Sequence, residues 1–217
     1  MGIPLQLNNY HIKLLAAFWM IVDHVGVIFF PQILTFRVLG RLSFPLFAWL
    51  LAQGEKHTHN FQNYLLRLLV LGAISQIPYF LALTNQNLNI LFTLALGLWL
   101  LRLSRLAPPP TEYIILGIGA IAAEVLNFSY GAYGILMIGL IAKFKPTLLW
   151  WAVWIVLHLV SAGLLSSSWG LFQFPAVITP VFLHFANHQQ GKTARWFYGF
   201  YPLHLLILLG IKRFYQS

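Results

Sequence analysis

Cysteine is absent and charge is scarce. Without a thiol the 217-residue chain forms no disulfide, holds no thiolate-bound metal and passes through no acyl-cysteine intermediate. Only 8% of residues are charged, where ordinary soluble domains carry about a quarter, and this excludes a water-soluble globule. Acidic residues are the scarcest, four Asp and Glu against thirteen Lys and Arg, for a formal charge of +9. A nucleic-acid surface would gather that excess into a stripe, whereas here the basic residues stand singly at the ends of apolar runs, so no nucleic acid is expected as a partner. Internal repeats are also missing, which argues against an inverted-repeat transporter.

What is present is hydrocarbon: 59% of the residues are hydrophobic and the mean hydropathy is +0.77. A ~30 Å hydrocarbon layer takes about 20 helical residues to cross, so this length predicts an all-α, polytopic transmembrane helix bundle of about eight or nine spans. The expected organisation is one integral membrane domain over residues 1–217. Apolar runs between polar breaks predict spans at 13–30, 37–53, 62–83, 88–103, 112–126, 131–143, 147–165, 169–186 and 196–212. The first is too long for a removable signal and lacks a small-residue cleavage site, so it reads as an anchor. Pro108 to Pro110 and Ser166 to Ser168 mark turns between spans. With nine spans, Lys13, Lys56, Arg67, Arg102, Arg105, Lys143, Lys145, Lys192 and Arg195 fall on one side and Arg37, Arg41, Lys212 and Arg213 on the other. That asymmetry predicts a cytoplasmic N-terminus.

An ionisable side chain at the bilayer centre costs roughly 3 kcal/mol on insertion scales, so each needs a partner or a task. Asp23 is expected ~15 Å along the first span, with His24 directly after it. Adjacent residues on a helix point about 100° apart, so Asp23 is not expected to hold the His24 ring. Arg41 is its natural partner, because Pro45 deprives the Arg41 carbonyl of its helical hydrogen bond and opens the chain there. For Asp23 and Arg41 a structural ion pair is as good a reading as a functional one. His24, an imidazole beside a membrane carboxylate, reads as functional.

A second polar group starts in the loop from Gln53 to Asn60 and enters the third span. Asn60, Tyr64, Arg67, Leu71, Ser75 and Tyr79 recur at three and four and share one face. Arg67 can equally snorkel to headgroup phosphate. His57 and His59, at i and i+2 without a third ligand, predict no metal site. Gln76, Asn89, Glu124, Tyr130 and Tyr133 are isolated polar points that can serve as interhelical glue. His158 reads as core. Tyr201 and His204 stand at i and i+3 around Pro202, which frees another backbone carbonyl.

In order along the chain, Asp23-His24-Val25-Gly26, Gly40-Arg41-Leu42-Ser43-Phe44-Pro45-Leu46-Phe47, Gly54 to Asn60, Tyr64-Leu65-Leu66-Arg67-Leu68, Ser75-Gln76-Ile77-Pro78, Leu88 to Thr93 with Leu96-Gly97-Leu98, Tyr130-Gly131-Ala132-Tyr133-Gly134 and Tyr201-Pro202-Leu203-His204-Leu205 together resemble the TraX family. That family takes its name from the conjugal-transfer protein that acetylates the N-terminus of F pilin. Ser129 departs from the family pattern, which often carries Asp before this Tyr-Gly.

The resemblance implies a membrane-embedded N-acetyltransferase with acetyl-CoA as co-substrate and no metal, similar in logic to OafA-like acyltransferases and to the lysosomal heparan-glucosaminide acetyltransferase. The acceptor would be a peptide, amine or glycan, a pilin-like N-terminus among them. On that analogy His24 is the catalytic base or a transient acyl carrier, with Asp23 and Arg41 holding the charge balance around it. Phosphates cannot enter hydrocarbon, so acetyl-CoA is expected at the basic rim on Lys56, His57, Asn60 and Arg67, with Asn89 or Gln76 polarising the thioester carbonyl. Tyr133, Tyr201 and His204 are expected on the acceptor side. Two other classes compete: a small proton-coupled transporter, and a structural membrane partner of a secretion or pilus assembly.

Overall fold

The computed structural model describes residues 6–164, 172–194 and 196–216, and these are helical throughout, with two isolated parallel bridges and no strand among them. The helices are α1 (Asn9–Phe29), α2 (Leu34–Gly40), α3 (Ser43–His57), α4 (Phe61–Leu83), α5 (Ile90–Leu106), α6 (Thr111–Val125), α7 (Gly131–Ala142), α8 (Leu148–Leu164), α9 (Pro180–Leu183) and α10 (Phe197–Gln216). Several starts are encoded by single side chains. Asn8, Asn60 and Asn89 each precede a helix and accept a first-turn backbone N–H through Oδ1, from His11, Asn63 and Leu91 respectively, which satisfies donors with no intrahelical partner.

Three stretches, Asn9–Phe29, Leu34–His57 and Phe61–Leu83, are long and apolar enough to cross a membrane by length and composition, and they give the chain its membrane-protein character. The run expected at 37–53 is split: α2 stops at Gly40, Arg41 and Leu42 turn, and α3 restarts at Ser43. Pro45 then lies in the first turn of α3, where its missing N–H leaves no hydrogen bond unmade. Helices α5, α6, α7 and α8 have 17, 15, 12 and 17 residues, short of the ~20 that a straight crossing takes. The run expected at 169–186 is not one α-helix where it is described. It consists of a 3₁₀ turn, Phe174–Ile178, followed by the short α9. Pro175 and Pro180 have no N–H to give, so a continuous ladder cannot form through them. The turn expected at Ser166 to Ser168 lies outside the described residues, as does Arg195.

The chain forms two compact units, residues 1–50 with 144–195 and residues 51–143 with 196–217, and α3 contributes to both. In the first unit α1 packs on α2, and Ser43 Oγ donates to the Ala16 carbonyl at 2.8 Å, tying α3 to α1. The segment before α1 pairs with the chain after α9: Leu7 N–H donates to Phe185 O at 2.7 Å and Asn187 N–H to Leu7 O at 2.9 Å. In the second unit α4 packs against α5 and α10, and α5, α6 and α7 pack on one another.

Candidate functional site

In the first unit, the cation of Arg41 meets the carboxylate of Asp23. Arg41 Nη2 donates to Asp23 Oδ1 at 2.5 Å, while its Nε donates to the Arg37 carbonyl at 3.3 Å. Arg37 Nε approaches the same carboxylate oxygen at 3.8 Å. One half-buried carboxylate therefore faces two cations, Arg37 from α2 and Arg41 from the turn that follows it. Gly40 makes this possible, because a Cβ there would lie 2.6 Å from Asp23 Oδ1 and 2.7 Å from Cγ. His24 is buried on α1. Helix α1 begins at Asn9, earlier than expected, so Asp23 and His24 occupy its last third rather than its middle.

In the second unit the charges gather at one end, where α3, α5 and α7 finish and α4 and α6 begin. Glu55, expected in a loop, lies in the last turns of α3 and is only 2% exposed. Its Oε1 pairs with Arg102 Nε at 2.9 Å and its Oε2 with Arg105 Nη2. The Arg102 guanidinium also sits 4.7 Å from the centre of the Phe61 ring. Lys143 pairs with Glu112 at 2.6 Å. Sequence reasoning missed this cluster, although a signal existed: Ala48, Leu51, Ala52 and Glu55 continue one buried helical stripe, so Glu55 falls on a face that must be covered.

The expected donor contacts divide into two kinds. Lys56 and Arg67 are exposed, and Arg67 lies over Tyr198 at 5.2 Å with its Nε donating to Asn63 O. His57 Nδ1 donates to the Gln53 carbonyl at 2.8 Å, and Asn60 caps α4. Asn89 and Gln76 are bound to each other. Asn89 Nδ2 donates to Gly72 O at 2.7 Å and to Gln76 Oε1 at 2.8 Å, Asn89 N–H donates to Gln76 Oε1, and Gln76 Nε2 donates to Asn87 O. Both amide hydrogens of the fully buried Asn89 are thus committed to structure, leaving neither for a thioester carbonyl.

Of the expected acceptor-side group, Tyr201 and His204 are buried and in edge contact at 5.5 Å, and Tyr133 stacks on Tyr130 at 6.4 Å. His204 Nδ1 donates to the Phe200 carbonyl at 2.9 Å. Glu124 accepts the Ala132 N–H at 2.9 Å, placing a carboxylate at the N-terminal end of α7 where the backbone dipole favours it. Gly131 has φ of +48° and faces Glu124 closely, a position that a side chain would strain on both counts. Among the described residues no three His, Asp or Glu side chains converge as a metal site would require.

These features define an all-helical membrane protein with an ion-paired carboxylate next to a buried histidine in one unit and a basic, carboxylate-braced end in the other. The family model described as TraX protein matches residues 8–212, and the chain belongs to that family. A protein of Dichelobacter nodosus named "Probable fimbrial assembly protein FimC, serogroup H1" is 30% identical, with 98% of each chain covered. An uncharacterized protein of Rickettsia prowazekii (strain Madrid E) is 33% identical over 42% of this chain and 36% of its own. No solved structure matches.

Proposed function

We propose that the protein is a membrane-embedded acetyltransferase that moves the acetyl group of acetyl-CoA to an amine, such as the N-terminus of a pilin-like envelope peptide. The carrying observation is the buried His24 directly after Asp23, whose carboxylate is already matched by Arg41 at 2.5 Å. An imidazole is a costly group to bury on a transmembrane helix without a task, and membership of the TraX family supports reading that task as acetyl transfer.

An α-amino group with a pKa of about 8 is mostly protonated at neutral pH and must lose a proton to attack. The free amine forms a C–N bond to the thioester carbonyl, His24 takes the amine proton, the C–S bond breaks, and the His24 imidazolium returns that proton to the departing CoA thiolate. In the alternative two-step route His24 carries the acetyl group between donor and acceptor. Asp23 and Arg41 hold the charge around the imidazole, and Tyr133, Tyr201 and His204 belong to the acceptor side. Lys56, His57, Asn60 and Arg67 would receive the donor phosphates, with Lys56 and Arg67 the exposed cations among them. By the positive-inside asymmetry, the basic end of the second unit faces the cytoplasm, where the donor is. We read the whole as one membrane domain of about eight or nine spans in a bacterial inner membrane, the short helices being accommodated by tilt or local thinning.

The absence of cysteine makes the test clean, since free CoA is the sole thiol in a reaction of purified protein, acetyl-CoA and a peptide with a free N-terminus. A thiol-reactive dye should report CoA release that depends on the peptide. A signal no greater than that of the detergent or lipid blank would end this reading.

The name of the Dichelobacter nodosus relative favours a second reading, a structural membrane partner in fimbrial assembly. Under it, His24→Ala would leave assembly intact.

A further inference from the structure

We infer that Arg102 and Arg105, held in place by the buried carboxylate of Glu55, form a phosphate-ester site at the basic end of the second unit. As a site that shares the phosphates of acetyl-CoA with Lys56, His57, Asn60 and Arg67 it rests on the acetyltransferase reading; as a phosphate site it stands on the geometry alone.

One guanidinium gripping both oxygens is a frequent match for a single carboxylate and leaves no surplus charge. Here each oxygen takes a different arginine, Oε1 with Arg102 Nε and Oε2 with Arg105 Nη2, so one negative charge meets two positive ones. The surplus is exposed. Glu55 is 2% accessible, whereas the side chains of Arg102 and Arg105 are 29% and 42% accessible, with Lys56 exposed next to Glu55 in the chain. Each guanidinium carries five N–H groups, and the carboxylate engages only part of each set, so both partly exposed side chains have donors to spare. Phe61 lies under the Arg102 guanidinium and restricts its plane. Two guanidiniums held on one buried anion, with surplus charge and donors to spare, match the several oxygens of a phosphate group. The three residues come from α3 and α5, and their preorganisation by a buried anion is what distinguishes them from basic residues that merely snorkel to the membrane surface.

The phosphate could belong to a coenzyme or to an anionic lipid, and calorimetry on the full chain in nanodiscs separates the two. In discs of phosphatidylcholine alone, inorganic pyrophosphate and CoA should bind saturably, and Arg102→Gln and Arg105→Gln should each weaken both by about tenfold or more. If a lipid is the occupant, replacing part of the phosphatidylcholine with phosphatidylglycerol should suppress pyrophosphate binding, and native mass spectrometry should find phosphatidylglycerol retained by the unmodified chain and lost by Arg105→Gln. Since a single arginine variant could leave Glu55 short of a partner and unfold, the pair Glu55→Gln with Arg102→Gln removes both charges together and repeats the measurement. Binding of pyrophosphate, CoA and phosphatidylglycerol that is indifferent to Arg102 and Arg105 would overturn the site. Pyrophosphate binding without peptide-dependent CoA release would keep the site and discard the acetyltransferase. Release with an unchanged KM for acetyl-CoA in both arginine variants would keep the enzyme and remove its phosphates from this site.

Discussion

Arg41 reaches from the turn after α2 to place Nη2 2.5 Å from Asp23 Oδ1, and the missing side chain of Gly40 leaves the space in which that carboxylate lies. The relationship joins two helices through one charge pair and one absent methyl group. Gly40→Ala should therefore push the Asp23 carboxylate away from Arg41 and cost about 1–3 kcal/mol, as overpacking of a filled site does. Chemical denaturation in detergent measures it, and a stability equal to that of the unmodified chain would show that α2 can move aside at no cost.

Removing Arg41 should be worse than removing the pair. Arg41→Ala leaves the half-buried Asp23 with only the longer contact to Arg37, and should destabilise the chain by about 1–3 kcal/mol. The double variant Asp23→Asn with Arg41→Gln leaves no charge without its partner and should recover much of that loss. Thermal unfolding of the two proteins side by side checks the order, and equal losses would mean that the charge pair is not the source.

His24→Ala should lower peptide-dependent CoA release by about 10²–10⁴-fold, the usual contribution of a positioned proton acceptor. His24→Gln, which keeps shape and hydrogen-bonding capacity, should fall as far while melting close to the unmodified protein. Recovery of activity in His24→Gln would make residue 24 a packing residue.

Asn89→Asp separates two duties of one side chain. The carboxylate can still accept from Leu91 N–H and cap α5, but it cannot donate to Gly72 O or Gln76 Oε1. Losing both side-chain donations should cost about 1–3 kcal/mol, with Gln76 Oε1 keeping only the backbone N–H of residue 89. Asn89→Ala, losing the cap as well, should cost more than Asn89→Asp. Unfolding midpoints in detergent give the ranking, and an Asn89→Asp midpoint equal to that of the unmodified chain would show that capping is the whole of its role.

Much of the local architecture is legible along the chain. The apolar runs place α1, α4, α5, α6, α7, α8 and α10 to within a few residues, because helical segments are marked by apolar runs of helical length between polar breaks. The partnership of Asp23 with Arg41 was also legible, since Pro45 marks where the chain opens and Arg41 is the cation beside it. The region around Pro175 and Pro180 was not, because its apolar content resembles a span while its prolines break the hydrogen-bond ladder. Glu55 was misread for the opposite reason: its polar neighbours Gln53, Lys56 and His57 suggest a loop, yet its helical register carries it onto the buried face of α3.

By itself the amino-acid order determined helical class, membrane character and the ends of most helices, since apolar length, asparagine caps and prolines act within a turn or two of where they stand. Only the tertiary structure decided that Glu55 meets both Arg102 and Arg105, and that Asn89 and Gln76 satisfy each other instead of facing a ligand. Such pairings join separate helices, and which side chains meet depends on how those helices pack, a relation that no local pattern carries.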